Sequence, residues 1–204
     1  MHDGPEYEKQ AALTARAATW IERGAAPAHR IALLHPGPRE EWYSASALYA
    51  RALANEILPV IGRAVAVAAS PVGMGASLGA LAMLHAQRRH PGAFAGLFLQ
   101  SGSFFMPRHD HMEKGFPRYG RIVRFVRGVL RDEMRAFEHP VPATLTVGAD
   151  EDNLHNNRRV AAALRLQGYP AELHEAPGGH DYGTWTAAID AHLPARLAAA
   201  WTEA

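Results

Sequence analysis

The sequence predicts an α/β fold, a doubly wound, mainly parallel sheet with helices on both faces. Two observations lead there. Short apolar runs of strand length alternate with longer amphipathic stretches, as parallel strands joined by crossover helices require. One such run, ending at Met74, passes through Gly75-Ala76-Ser77-Leu78-Gly79 straight into a helix-like run, the arrangement of a tight strand-to-helix turn. With 204 residues, 48% of them hydrophobic, the chain can bury one substantial core, so residues 1–204 read as a single domain.

The elements follow in order. Tyr7 to Arg23 has helical periodicity stopped by Gly24, and Ile31 to Leu34 reads as a short buried strand. Trp42 to Ile61 is apolar at helical spacing, with Pro59 marking a kink or a final turn. Val65 to Ala69 and Val72 to Met74 lead into the turn, broken by Pro71, and Leu78 to Arg89 is its helix, ended by His90-Pro91-Gly92. Phe94 to Leu99, Leu145 to Val147 and Glu172 to Glu175 are further strands, the last two separated by a helix from about Asn157 to Leu166. Asp181 to Ala199 closes the chain as a helix, with Pro194 as a kink. Residues 103–142 break the alternation: the stretch is polar and irregular, with Arg118, Arg121, Arg124, Arg127 and Arg131 three or four apart. That stripe is either a solvated helix face or part of a lid that receives anionic groups.

Bulk properties exclude several classes. A net charge of +1 does not fit a nucleic-acid binder or a membrane-surface protein. The absence of cysteine removes disulfides, thiolate metal sites and thiol nucleophiles. The polar start has no apolar signal core and no run approaches a membrane span, so the expected location is the cytoplasm. His109-Asp110-His111 has no second cluster with ligand spacing, so neither metal nor cofactor is expected.

The chemistry centres on Ser77. A serine at the top of a tight turn needs small neighbours two positions away on each side, which Gly75 and Gly79 supply. The Leu78 N–H then opens a helix whose dipole favours an oxyanion. A serine nucleophile needs a histidine base and a carboxylate that fixes the imidazole tautomer. The chain offers both in order: Asp150, Glu151 and Asp152 follow the strand and glycine turn ending at Gly148, and His180 follows Pro177-Gly178-Gly179. Glu151 is the favoured acid, with Asp152 and Asp150 as alternatives, or all three as helix N-terminal charges.

These residues carry a resemblance to the Putative esterase family of α/β-hydrolases, which includes enterochelin esterases, esterase D and mycolyltransferases. Gly73 to Leu81, Arg89-His90-Pro91 and Gln100-Ser101-Gly102-Ser103-Phe104 resemble the family's elbow, helix end and following strand end. Gly148 to Leu154 with Asn156-Asn157-Arg158 is similar to its acid-bearing turn, and Gly178-Gly179-His180-Asp181-Tyr182 with Trp185 to the enterochelin-esterase ending. The resemblance implies Ser77 as nucleophile, Glu151 as acid and His180 as base in a carboxylic ester hydrolase acting on a small-molecule ester. An acyltransferase of the same family and a non-catalytic hydrolase-fold binder are the alternatives, and a homo-oligomer is compatible with either. Residues 103–142 lie where relatives carry a lid.

His2-Asp3-Gly4 resembles the turn that supplies the second oxyanion donor. Pro5 has no N–H, so the resemblance assigns that donor to Gly4 or Glu6. Relatives place several dozen residues ahead of this turn, so the sheet is expected to lack its N-terminal strands, as in a truncated chain or one with a misassigned start. Arg39 and Trp185 resemble substrate-binding positions. Arg39 reads equally as an ion-pair partner of Glu40 or Glu41, and Thr186 stands where many enterochelin esterases have arginine.

Overall fold

The computed structural model describes residues 1–131 and 139–201. Four parallel strands, β1 (Val72–Ala76), β2 (Gly96–Gln100), β3 (Ala143–Gly148) and β4 (Ala171–Ala176), form one sheet in the order β1-β2-β3-β4. Gly75 lies opposite Leu99, Leu99 opposite Leu145, and Leu145 opposite Leu173. β2 and β3 are buried along their whole length, whereas β4 is only partly buried, with Glu172 and Glu175 exposed, as suits an edge strand.

Helices α1 (Gly4–Ala11), α2 (Leu13–Glu22), α3 (Arg39–Tyr43), α4 (Ala47–Ala52) and α5 (Leu58–Ala64) precede the sheet. The crossovers are α6 (Leu78–Arg89), α7 (Tyr119–Arg131) and α8 (Leu154–Leu166), and α9 (Tyr182–Trp201) closes the described chain. Strands paired in sequential order by crossovers of one hand must carry those crossovers on one face. α6, α7 and α8 accordingly share a core with Leu97, Leu99, Ala143 and Leu145. The alternate residues Met74, Ala76 and Phe98 point to the other face, where α1, α2 and α9 contribute Tyr7, Trp20, Trp185 and Ile189. Helices therefore cover both faces of the sheet, as expected, while the crossovers between the four strands lie on one of them.

Local departures have local causes. The single helix expected from Tyr7 to Arg23 is two, broken at Ala12 (φ 46°, ψ 48°). There the Glu8 carboxylate accepts bonds from the Thr14 N–H (2.9 Å) and hydroxyl (2.6 Å), competing with the helical pattern. The expected helix from Trp42 to Ile61 is interrupted at Ala45 (φ 53°) and widens into one π turn over Leu53–Ile57, where the Leu58 N–H reaches back to Leu53 O. Pro59, with no N–H of its own, follows directly, which is where a widened turn costs least.

Ile31 to Leu34 is a correction. The segment is half-buried and joins no strand. Among the described residues its backbone bonds run to the first residues, Leu34 N–H to Met1 O and Gly4 N–H to Leu34 O (both 3.0 Å), which turn at once into α1. Val65 to Ala69 is likewise no strand. Residues 103–142 are less irregular than expected, because α7 buries Ile122, Phe125, Val126 and Val129 between its arginines. The part of that segment at 132–138 lies outside the described residues. No helix among the described residues is long and apolar enough to cross a membrane.

Candidate active site

β1 ends at the elbow, and Ser77 pays for its position with a backbone (φ 56°, ψ −121°) that residues bearing a Cβ rarely adopt. Gly75 makes the reversal possible: a Cβ there would lie 2.5 Å from the Gly79 carbonyl carbon. The Ser77 N–H donates to Gln100 O at 2.8 Å, which ties the turn to the end of β2. Leu78 opens α6, where first-turn N–H groups have no intrahelical acceptor.

The other two expected members sit on the loops after β3 and β4. His180 Nδ1 lies 2.7 Å from Glu151 Oε2. A carboxylate only accepts, so Nδ1 carries the proton and Nε2 is left as the basic nitrogen. Asp150 and Asp152 are exposed, and the carboxylate bonded to His180 is that of Glu151. The Glu151 side chain is 1% exposed, that of His180 43%. Burial alone would raise the Glu151 pKa, but hydrogen bonds from His180, Ser101 and Gly148 outweigh it and hold the carboxyl below its ordinary value. Ser77 Oγ is paired with Ser103 Oγ at 2.9 Å rather than with His180 Nε2.

The other expected site positions fall as follows. Gly4 offers no free oxyanion donor, because its N–H is committed to Leu34 O, and the Glu6 N–H is turned onto Asp3 O at 3.1 Å. Arg39 pairs with neither Glu40 nor Glu41. Its Nε and Nη2 grip the Asp3 carboxylate at 3.0 to 3.1 Å, close to the first turn of α6, while Glu41 serves Arg118 and Arg121. Trp185 is buried, its indole edge-on to His180 with 5.1 Å between ring centroids, and its Nε1–H donates to Ser101 Oγ at 2.8 Å. It forms the wall behind the histidine and presents no polar atom to a substrate.

Ser101, Ser103, Asn153 and Asn157 were not singled out for roles in the sequence. Asn157 brackets Gly102, accepting its N–H (3.0 Å) and donating to its carbonyl (3.1 Å), while Asn153 donates to Ser101 O at 3.0 Å. The available signal was a pair of serines around a glycine directly after an apolar strand. Nothing in it says which atoms they meet. Among the described residues no group of three or more His, Asp or Glu side chains is arranged to hold a metal ion. The Asp110 carboxylate is occupied by Asn156 Nδ2 and the Met106 N–H.

Similarity to known proteins runs along the same elements. The fold is similar to the enterobactin esterase FES from Shigella flexneri solved with 2,3-di-hydroxy-N-benzoyl-glycine (TM-score 0.79, 19% identity, 99% of this chain and 52% of that one). It is also similar to a ferulic acid esterase (TM-score 0.72, 17% identity, covering 97% and 80%) and to S-formylglutathione hydrolase FrmB from Staphylococcus aureus (TM-score 0.67, 15% identity, covering 97% and 78%). The chain spans about half the length of the enterobactin esterase structures. No curated protein matches it. The family model described as Putative esterase matches residues 35–195. With most of its length under that model, the chain belongs to the Putative esterase family.

Proposed function

We propose that the chain is a serine carboxylic ester hydrolase acting on small-molecule esters through Ser77, His180 and Glu151. Its family supports ester hydrolysis in general. The observation that supports the finer reading is the 2.7 Å Glu151–His180 pair, carried on the loops after β3 and β4 of the same parallel sheet whose β1 ends in the strained Ser77 elbow. Three strand C-termini supply one group each, at the edge where such sheets bind ligands.

The reaction follows from the donors and acceptors. Ser77 Oγ leaves Ser103 and passes its proton to His180 Nε2 as it attacks the ester carbonyl, and Glu151 stabilises the imidazolium that forms. The Leu78 N–H, at the positive end of α6, faces the developing oxyanion. The protonated imidazole gives its proton to the departing alcohol, leaving an acyl-serine; a water deprotonated by His180 then attacks the acyl carbon, and the imidazolium returns that proton to Ser77 Oγ as the carboxylic acid leaves. Ser77→Ala is expected to abolish turnover of aryl esters while leaving the unfolding temperature within a few degrees of the native chain. Undiminished turnover in that variant contradicts the reading. A panel of aryl esters, thioesters and siderophore lactones then identifies the preferred acyl and alcohol groups.

One observation favours a second reading, a hydrolase-fold binder without turnover: the Gly4 N–H, expected in the oxyanion site, is already bonded to Leu34 O. In that reading esters bind reversibly and no acyl-serine accumulates.

A further inference from the structure

We propose that Ser101 and Trp185 are positioning residues for the Glu151–His180 pair, with the indole N–H fixing the Ser101 hydroxyl so that its single proton is held on Glu151 Oε1. The proposal rests on the triad reading above. The direction of every bond in the chain is forced. An indole nitrogen can only donate, so at 2.8 Å Ser101 Oγ must accept from Trp185 Nε1. The hydroxyl then has one hydrogen, and the carboxylate oxygen 2.6 Å away takes it. Gly148 N–H donates to the same Oε1 at 2.7 Å. Two donors thus clamp one carboxylate oxygen and leave Oε2 for the imidazole.

The backbone points the same way. Ser101 has φ 48°, a conformation that glycine adopts freely and that strains any residue with a Cβ. The strain is held in place from both sides. The Ser101 N–H donates to Thr146 O (2.7 Å), Asn153 holds its carbonyl, and Asn157 brackets the next residue. What a glycine could not supply is the hydroxyl. Strained residues of this kind persist where the surroundings over-determine them, and here the surroundings aim the side chain at the acid. Trp185 is itself pinned, since its carbonyl accepts from Gln100 Nε2 (2.9 Å) and the Gln100 amide oxygen accepts from Tyr7 Oη (2.8 Å).

A purely structural role, in which Ser101 only satisfies a buried indole, is separated by the pH profile. The test measures kcat and KM for p-nitrophenyl acetate against pH in the native chain, Ser101→Gly, Trp185→Phe and the double variant, with thermal unfolding as a check on folding. Ser101→Gly relieves the backbone, so its effect reports the hydroxyl. The expected result is a kcat about ten- to a hundredfold lower with KM little changed. The acidic limb of kcat/KM moves to higher pH, because a Glu151 carboxylate that has lost a donor directs more of its charge to the imidazole and so favours the protonated, inactive form of the base. Trp185→Phe moves both readouts in the same direction by less, and adds nothing in the Ser101→Gly background. An unmoved acidic limb in Ser101→Gly, or a Trp185→Phe effect that adds fully to it, overturns the proposal. Ser77→Ala and Glu151→Gln are run alongside. If they are inactive while Ser101→Gly matches the native chain, the relay alone fails; if they retain full turnover, the triad reading falls and takes the relay with it.

Discussion

Ser77, Ser101 and Gly75 are explained by one constraint: the chain must reverse at the tops of β1 and β2 within a few atoms of α6 and α8. Serines at both tops carry positive φ (56° and 48°), and each has a hydroxyl with a partner that glycine would lack. Gly75 has the opposite requirement, since its missing Cβ is the clearance between β1 and the first turn of α6. Gly75→Ala is therefore expected to destabilise the fold by about 2 kcal/mol or more, as overpacking in a close contact does. Urea unfolding checks it, and an unchanged midpoint would show that the elbow has slack. The glycine requirement was legible in the pentapeptide, whereas the role argued for Ser101 was not. Its neighbours Glu151 and Trp185 are 50 and 84 positions away, and only the folded chain brings them together.

Among the elements, those defined by long apolar runs agree best between sequence and structure. Leu78 to Arg89 is α6 with the expected ends, because the elbow fixes its start and His90-Pro91-Gly92 its stop. The break in the first helix was missed because a side chain competes locally there, whereas Pro59 did mark the irregular turn beside it. Nothing in the periodicity of Tyr7 to Arg23 announces that Glu8 will turn onto Thr14 and force Ala12 left-handed. Ala12→Gly removes that penalty and adds back part of it as chain entropy in the unfolded state, so a net stabilisation of about 0.5–1 kcal/mol is expected. A lower urea midpoint in Ala12→Gly would mean that the break is not strained. The strand expected at Ile31 to Leu34 failed for a different reason. Its apolar residues suit a sheet, but the neighbouring segment turns into α1 after Gly4, so no ladder can form. α7 shows how an arginine stripe can read as polar irregular chain while its other side fills the core. Arg118 and Arg121 are drawn to Glu41 on α3, and Arg124 and Arg127 are exposed.

For the whole molecule, the fold class followed from the alternation of strand and helix patterns, and the family from motifs spread over three loops. Two histidines that fold into the interior add a property no motif shows. Burial first, and nearby positive charges second, bring the pKa of His2 down to about 3 and that of His85 down to about 4. A histidine whose folded pKa is depressed favours the folded state fully above its unfolded value near 6.5. That contribution is lost as pH falls from there toward the folded value, because the unfolded chain takes up the proton first. The chain is therefore expected to lose stability between pH 6.5 and 3. His85 packs edge-on against Phe125. His85→Leu should therefore recover roughly 1–2 kcal/mol of the loss at pH 5. Equal acid sensitivity in the native chain and His85→Leu would remove His85 from the account.

The central claim is that Ser77 is an activated nucleophile held beside a working Glu151–His180 pair. Incubation with a fluorophosphonate, followed by peptide mass spectrometry, tests it most directly. One covalent adduct located on Ser77, absent in Ser77→Ala and strongly slowed in His180→Ala, is the predicted result. A native, folded chain that takes up no label at Ser77, or takes it up equally without His180, would contradict the claim.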